Sequence, residues 1–214
     1  MKLLQLFLSS PGDCRDERDA VHEVVRKINA DFESVGVQIK NVAWDSGYGV
    51  PLEAMASPQA SVNSYLPTPE DCEIFIGIFK TRFGSPILDT TLRKENGEMF
   101  HSGTEYEFDR AWRARRRGAY YPEIFIYREC SNIKACLSDE EKQQLERLES
   151  FFSSPPFKEK ATWIGSVNSF EGTSEFVLKI TSQLRIIVGE YVANRGLVIK
   201  DIVKDKAKSL IADA

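Results

Sequence analysis

The chain has 214 residues, 42% of them hydrophobic and 28% charged, and a formal net charge of −4. That length holds one substantial domain with a full core plus a tail, and the small acidic excess gives no basis for nonspecific nucleic-acid binding. No apolar run exceeds strand length, so neither a membrane span nor a signal peptide is expected, and the expected compartment is the cytoplasm.

Leu3 to Leu8 is a short apolar run that stops at Ser9-Ser10-Pro11-Gly12 and reads as a first strand followed by a loop. Asp13 is expected to N-cap a helix to about Phe32, with Asp16 and Glu17 in its first turn and Ala20, Val21, Val24, Val25 and Ile28 as its apolar stripe. Val35 to Trp44 alternates as a half-covered strand does and runs into the loop Trp44-Asp45-Ser46-Gly47-Tyr48-Gly49. Pro51 to Tyr65 places Leu52, Met55 and Val62 on one helical face, but Pro58 interrupts that pattern. Ile74 to Phe79 is apolar on both faces, as a central strand is, with Cys72 just ahead of it.

Leu88 to Met99 reads as a surface excursion and a candidate lid. Thr104 to Arg117 is the next helix, capped by Thr104, closed by Gly118 and carrying four arginines between 113 and 117 that complement its dipole. Glu123 to Tyr127 is a fourth strand, and Ser138 with Glu141 forms a capping box for the helix ending at Phe151 and Phe152. Ala161 to Val167 is expected as a fifth strand, and Gly172-Thr173-Ser174 opens the last helix, with Phe176, Val177, Ile180, Leu184 and Ile187 inward.

Alternation of strands and helices implies an α/β fold: a doubly wound, mainly parallel five-stranded sheet of flavodoxin-like order. The expected division is a domain over 1–195 and a helical tail or connector over 196–214. Ligands of such sheets bind beyond the carboxyl ends of the strands, where the strand order switches. Four segments belong to that edge: Ser9 to Asp13, Trp44 to Gly49, Arg82 to Ser85 and Ser102 to Glu107.

The last of these, Ser102-Gly103-Thr104-Glu105-Tyr106-Glu107-Phe108, sets two carboxylates at the start of a helix directly after a loop. Glu105 and Glu107 project about 200° apart around the axis, so they do not face one pocket together. Glu105 has a ready structural role against the helix dipole, while Glu107 shares a side with the small Ala111. Glu107 is therefore placed ahead of Glu105 as a catalytic candidate. Ser9 and Ser10 suit phosphate or ribose oxygens as well as ordinary turn chemistry, Arg82 suits a pyrophosphate or an ion pair, and Trp44 suits a base or the core. The whole expected nucleotide-contacting set is Ser9, Ser10, Asp13, Trp44, Asp45, Arg82, Gly84, Ser102 and Thr104.

Other chemistries fail on their defining residues. There is no G-x-G-x-x-G, no Walker A glycine loop and no G-x-S-x-G, and His101 reads as an exposed loop residue. The cysteines, Cys14, Cys72, Cys130 and Cys136, lack C-x-x-C spacing and have only His22 and His101 to join them, so no metal is expected.

Three blocks together resemble one family. They are Leu6 to Asp13 followed by Glu17-Arg18, Asp71 to Gly77 with Arg82-Phe83-Gly84, and Ser102 to Glu107. In this order they resemble the TIR-like domain of unknown function found at the N-terminus of bacterial STAND NTPases and other multidomain signalling proteins. Gly103 to Phe108 is also weakly similar to the glycine-threonine-x-aromatic-glutamate segment of nucleoside deoxyribosyltransferases, whose last acid corresponds to Glu107. Both resemblances imply action at the N-glycosidic bond of a ribose. The first implies NAD as substrate with no further cofactor, nicotinamide as product, activation by self-association, and further domains in a longer polypeptide, with a non-catalytic association module as the alternative. The second implies base exchange on a nucleoside. Within the family pattern, Asp13 and Arg18 are expected to brace the first loop.

Overall fold

A computed structural model describes residues 2–43, 65–87, 89, 91–131, 138–159, 162, 163 and 165–212. Five parallel strands form the main sheet: β1 (Lys2–Ser9), β2 (Val37–Val42), β3 (Ile74–Phe79), β4 (Glu123–Glu129) and, after a small antiparallel pair of β5 (Lys158–Glu159) and β6 (Thr162–Trp163), β7 (Asn168–Phe170). Their spatial order is β2-β1-β3-β4-β7, so the chain leaves β1 first toward β2 and then returns across it to β3. The switch point lies between β1 and β3, where Ser9 pairs with Gly77 at the carboxyl end.

The two faces of the sheet are covered by different helices because β3 alternates. Ile74, Ile76 and Ile78 point to one side, where Leu4, Leu6 and Leu8 of β1 meet Val21, Val24, Val25 and Ile28 of α1 (Arg15–Phe32) and Phe176, Ile180 and Leu184 of α4 (Gly172–Ala212). Phe75 and Phe79 point to the other, against Phe108 and Ala111 of α2 (Gly103–Arg116) and Leu148 and Phe152 of α3 (Asp139–Phe152). Gly77 falls between those phenylalanines, and a Cβ there would stand 2.8 Å from Ile126 Cδ1, so this strand position needs glycine to let β4 pack. Burying a side chain such as Phe108 on this face contributes about 2–3 kcal/mol.

Several elements differ from expectation for local reasons. Asp13 does not cap α1: a single 3-10 turn, Gly12–Cys14, precedes the helix, no side chain caps either, and the Asp13 carboxylate reaches across to the turn after β3. Val35 lies in a 3-10 turn closed by Gly36 at φ 69°, so β2 starts only at Val37. Ser102, not Thr104, caps α2, with Oγ accepting the Glu105 N–H at 3.1 Å. The fifth strand of the sheet is Asn168–Phe170, not 161–167, because β6 folds back on β5 and Phe170 is the side chain that reaches the core.

The strand Ile74–Phe79 and the Ser138/Glu141 capping box stand as the sequence implies. The final helix passes through Gly196 without interruption to Ala212. The segment 51–64 lies outside the described residues, and no helix of the described residues is long and apolar enough to cross a membrane.

Candidate functional site

The amino end of α2 is seated at the carboxyl edge of the sheet by a buried polar clamp. Ser102 is fully buried and donates its hydroxyl to the Phe83 carbonyl at 2.7 Å while accepting the Glu105 N–H. Gly84, at φ +114°, packs so closely that a Cβ would meet Ser102 Cβ and Thr104 Oγ1 at 3.0 Å. Ser102, Gly84 and the buried Thr104 therefore serve the docking of the helix rather than an open ligand surface. Gln144 of α3 completes the joint by accepting the Phe83 N–H at 3.0 Å.

From this fixed origin the two acids diverge onto opposite flanks of the helix. Glu107 turns toward the switch point and accepts the Ser9 hydroxyl at 2.6 Å, linking α2 to the last residue of β1. Ser9 is itself 1% exposed, so its hydroxyl is aimed by the strand and not by solvent. Glu105 turns toward the excursion before the helix. One of its oxygens pairs with Lys94 Nζ at 2.6 Å and the other accepts the His101 N–H at 2.6 Å. The residues 94–98 form a tight turn, with Lys94 N–H donating to the Glu98 carbonyl at 2.8 Å, and Arg93 bridges Met99. The expected lid region is thus a small hairpin tied down by Glu105.

The first loop is braced as the sequence implied for Arg18. Its guanidinium donates to Ser10 Oγ at 3.0 Å and to the Pro11 carbonyl at 2.8 Å. Asp13 braces the neighbouring turn, accepting from Thr81 N–H and Oγ at 3.0 Å and from Arg82 N–H at 3.1 Å. Arg82 is half-buried and makes no ion pair among the described residues. Trp44 and Asp45 lie outside the described residues. Ser9, Ser10, Asp13, Arg82 and Glu107 are therefore brought to one edge, while Glu105, Gly84, Ser102 and Thr104 build its support.

Sequence reasoning missed a second buried cluster on the same edge. Glu17 is fully buried, accepts the Thr173 hydroxyl at 2.7 Å and faces Lys80 Nζ at 3.3 Å, joining α1, the end of β3 and the start of α4. Burial pulls the Lys80 pKa down, but the Glu17 charge and hydrogen bond, with Cys14 and Glu129, outweigh it and leave the ammonium favoured. Glu129 accepts the Gly172 N–H and so caps α4. The signal for Glu17 was present: it stands four residues before Val21, so the buried stripe of α1 extends through it.

Cys14 and Cys72 are buried thiols, whereas Cys130, just after β4, is exposed. Burial raises the Cys14 pKa well above its ordinary value, helped by Asp13 and Glu17, and burial raises Cys72 to about 12. Among the described residues no group of three or more His, Cys, Asp or Glu could hold a metal ion.

A second feature adjoins the Glu105 flank. A cleft of about 860 Å³ opens between the 94–101 hairpin, α2 and α3, floored by Phe83, Phe108, Trp112 and Phe151. Glu107 is not among its walls.

Strand order, helices on both faces and polar groups gathered beyond the carboxyl ends define a doubly wound α/β domain with a switch-point edge. The chain belongs to the family described as "Domain of unknown function (DUF4062)", which matches residues 5–185. No curated protein matches it.

Proposed function

We propose that this chain is a TIR-like effector domain that cleaves the N-glycosidic bond between nicotinamide and ribose in NAD, with Glu107 as the acting carboxylate. The observation that carries this reading is the Ser9–Glu107 contact at the β1/β3 switch point, where doubly wound sheets take nucleotides. Glu105 is disfavoured for the role because both of its oxygens already hold Lys94 and the His101 N–H. The blocks resembling the TIR-like family include Ser9, Asp13, Arg82 and Glu107.

In the proposed reaction the C1′–N bond breaks and its electron pair leaves with the pyridine ring, which turns from cation to neutral nicotinamide. Positive charge moves onto the ribosyl centre. Water then adds to C1′ and releases a proton, giving ADP-ribose. A carboxylate beside that centre stabilises the developing cation electrostatically, holds the ribose hydroxyls, or attacks C1′. Ser9 orients Glu107, and the Arg82 guanidinium is the cation nearest in sequence to the Asp13-braced turn for a diphosphate.

Activation by self-association, placement at the N-terminus of a longer signalling protein and residence in the cytoplasm are parts of the same proposal. A non-catalytic association module is the second reading. It is favoured by Leu178 and Ile186, 73% and 58% exposed and eight residues apart along the outer side of α4. Nicotinamide release from NAD, followed over a series of protein concentrations, separates the two. Release that rises more steeply than concentration and disappears in Glu107→Gln supports the enzyme; assembly without release supports the module. Base exchange on a free nucleoside, with NAD inert, would move the assignment to a deoxyribosyltransferase-like activity.

A further inference from the structure

We infer that the cleft on the Glu105 flank of α2 is a second ligand site, separate from the Glu107 edge, that takes a planar aromatic ring carrying negative charge. Its position follows from helix geometry. Glu105, Asp109, Trp112 and Arg116 stand at i, i+4, i+7 and i+11 and form one stripe along α2, while Glu107 projects about 200° away from Glu105. A molecule in the cleft therefore cannot touch the Ser9–Glu107 pair.

The chemistry of the walls names the ligand class. Trp112 is half-buried and lies nearly parallel to Phe108, with ring centroids 6.2 Å apart and planes at 14°, so its indole is held in a fixed plane from behind. Phe108, in turn, is fixed edge-on by Phe151. A rigid aromatic at the wall of a cleft of about 860 Å³ is a stacking surface for another flat ring, in a volume ordinary for small-molecule sites.

The charge comes from two helices. Arg116 of α2 and Arg147 of α3 are both exposed at this cleft, and neither makes an ion pair or hydrogen bond among the described residues. The other charges of the region are engaged, Lys94 with Glu105 and Arg113 with Asp109 at 2.6 Å, except Glu98, an exposed carboxylate on the hairpin wall. Two guanidiniums flanking an aromatic wall suit a phosphate or diphosphate attached to a base. The cleft thus offers ring and charge recognition together, and the Lys94–Glu105 tie positions the hairpin as its outer wall.

Calorimetric titration of the full chain with ADP, adenosine and pyrophosphate tests this. ADP carries both ring and charge, so it is expected to bind at least about tenfold more tightly than either fragment. The double substitution Arg116→Ala/Arg147→Ala, at exposed positions, is expected to weaken ADP by about tenfold or more with an unchanged melting temperature. Trp112→Leu should weaken both ADP and adenosine. The double substitution Ser9→Ala/Glu107→Gln should leave the arginine-dependent part of the ADP isotherm as it was, whatever ADP the switch-point edge also holds. Absence of ADP binding by the unaltered chain overturns the proposal, as does pyrophosphate matching ADP. If ADP binding survives loss of both arginines yet disappears with Ser9 and Glu107, the nucleotide belongs to the switch-point edge, and the proposed NAD reading stands without this second site.

Discussion

The two flanks of α2 carry acids two residues apart that have met opposite fates. On one flank, Glu105 is 7% exposed and saturated by an ammonium and a backbone N–H, so its charge is spent on fixing a hairpin. On the other, Glu107 meets the hydroxyl of Ser9 at the end of a strand, beside loops braced by Arg18 and Asp13. The difference shows that a carboxylate near a helix start is not functional by its position. What its neighbours are decides: a cation and an amide make a structural tie of Glu105, whereas the Ser9 hydroxyl sets Glu107 at the switch point.

The comparison breaks first on Glu107. Glu107→Gln keeps the shape and removes the charge, so nicotinamide release should fall by about a thousandfold while the melting temperature stays with the parent protein. Equal rates for the two proteins would end the assignment of that residue. Ser9→Ala comes next. Loss of a hydrogen bond to a charged group is worth about 1.5–3 kcal/mol, so release should drop by about ten- to a hundredfold, in kcat more than in KM if Ser9 orients Glu107. A change confined to KM would instead place Ser9 in simple substrate binding.

Much of the frame behind this contrast is legible from residue pattern. Ile74–Phe79 is an unbroken apolar run bounded by polar residues, and such a strand has nowhere to be but the centre of a covered sheet. Ser138 and Glu141 encode their capping box within four residues. The divergence of Glu105 and Glu107 follows from helical periodicity alone. What was not legible depends on distant partners. Asp13 looks like an N-cap until Thr81 and Arg82, 68 and 69 residues on, offer it three donors. Ser102 and Thr104 are both capping residue types, and only the Phe83 carbonyl, accepting from Ser102, decides between them. β7 has three residues and one side chain in the core, too little for any periodicity to mark. The cleft is invisible in sequence because its second arginine comes from α3, which meets α2 only in the folded chain.

Glu105 gives the smaller, purely structural prediction. Glu105→Gln can still accept the His101 N–H but leaves Lys94 unpaired, at a cost of about 1–3 kcal/mol in urea unfolding. Amides of residues 94–101 should exchange faster, and nicotinamide release should persist. A collapse of activity equal to that of Glu107→Gln, with stability intact, would show the division between the flanks to be misplaced.

The finest test uses Asp109, one turn beyond Glu105 on the cleft side. Burial raises its carboxyl pKa, with smaller contributions from Glu95 and Glu105, and the Arg113 ion pair pulls it down without overcoming burial. The folded state therefore holds the Asp109 proton more tightly than the unfolded chain, whose ordinary value is about 3.9. Stability linked to that proton is complete below about pH 3.9 and is lost as pH rises through the raised folded value. Asp109→Asn is neutral throughout, so its melting temperature should gain on the parent protein as pH rises across the acid range and run parallel to it at neutral pH. A gap that moves the other way would mean that the Arg113 pair outweighs burial on this flank. The aspartate would then be a second tie like Glu105, and the cleft would lose a weakly held charge from its wall.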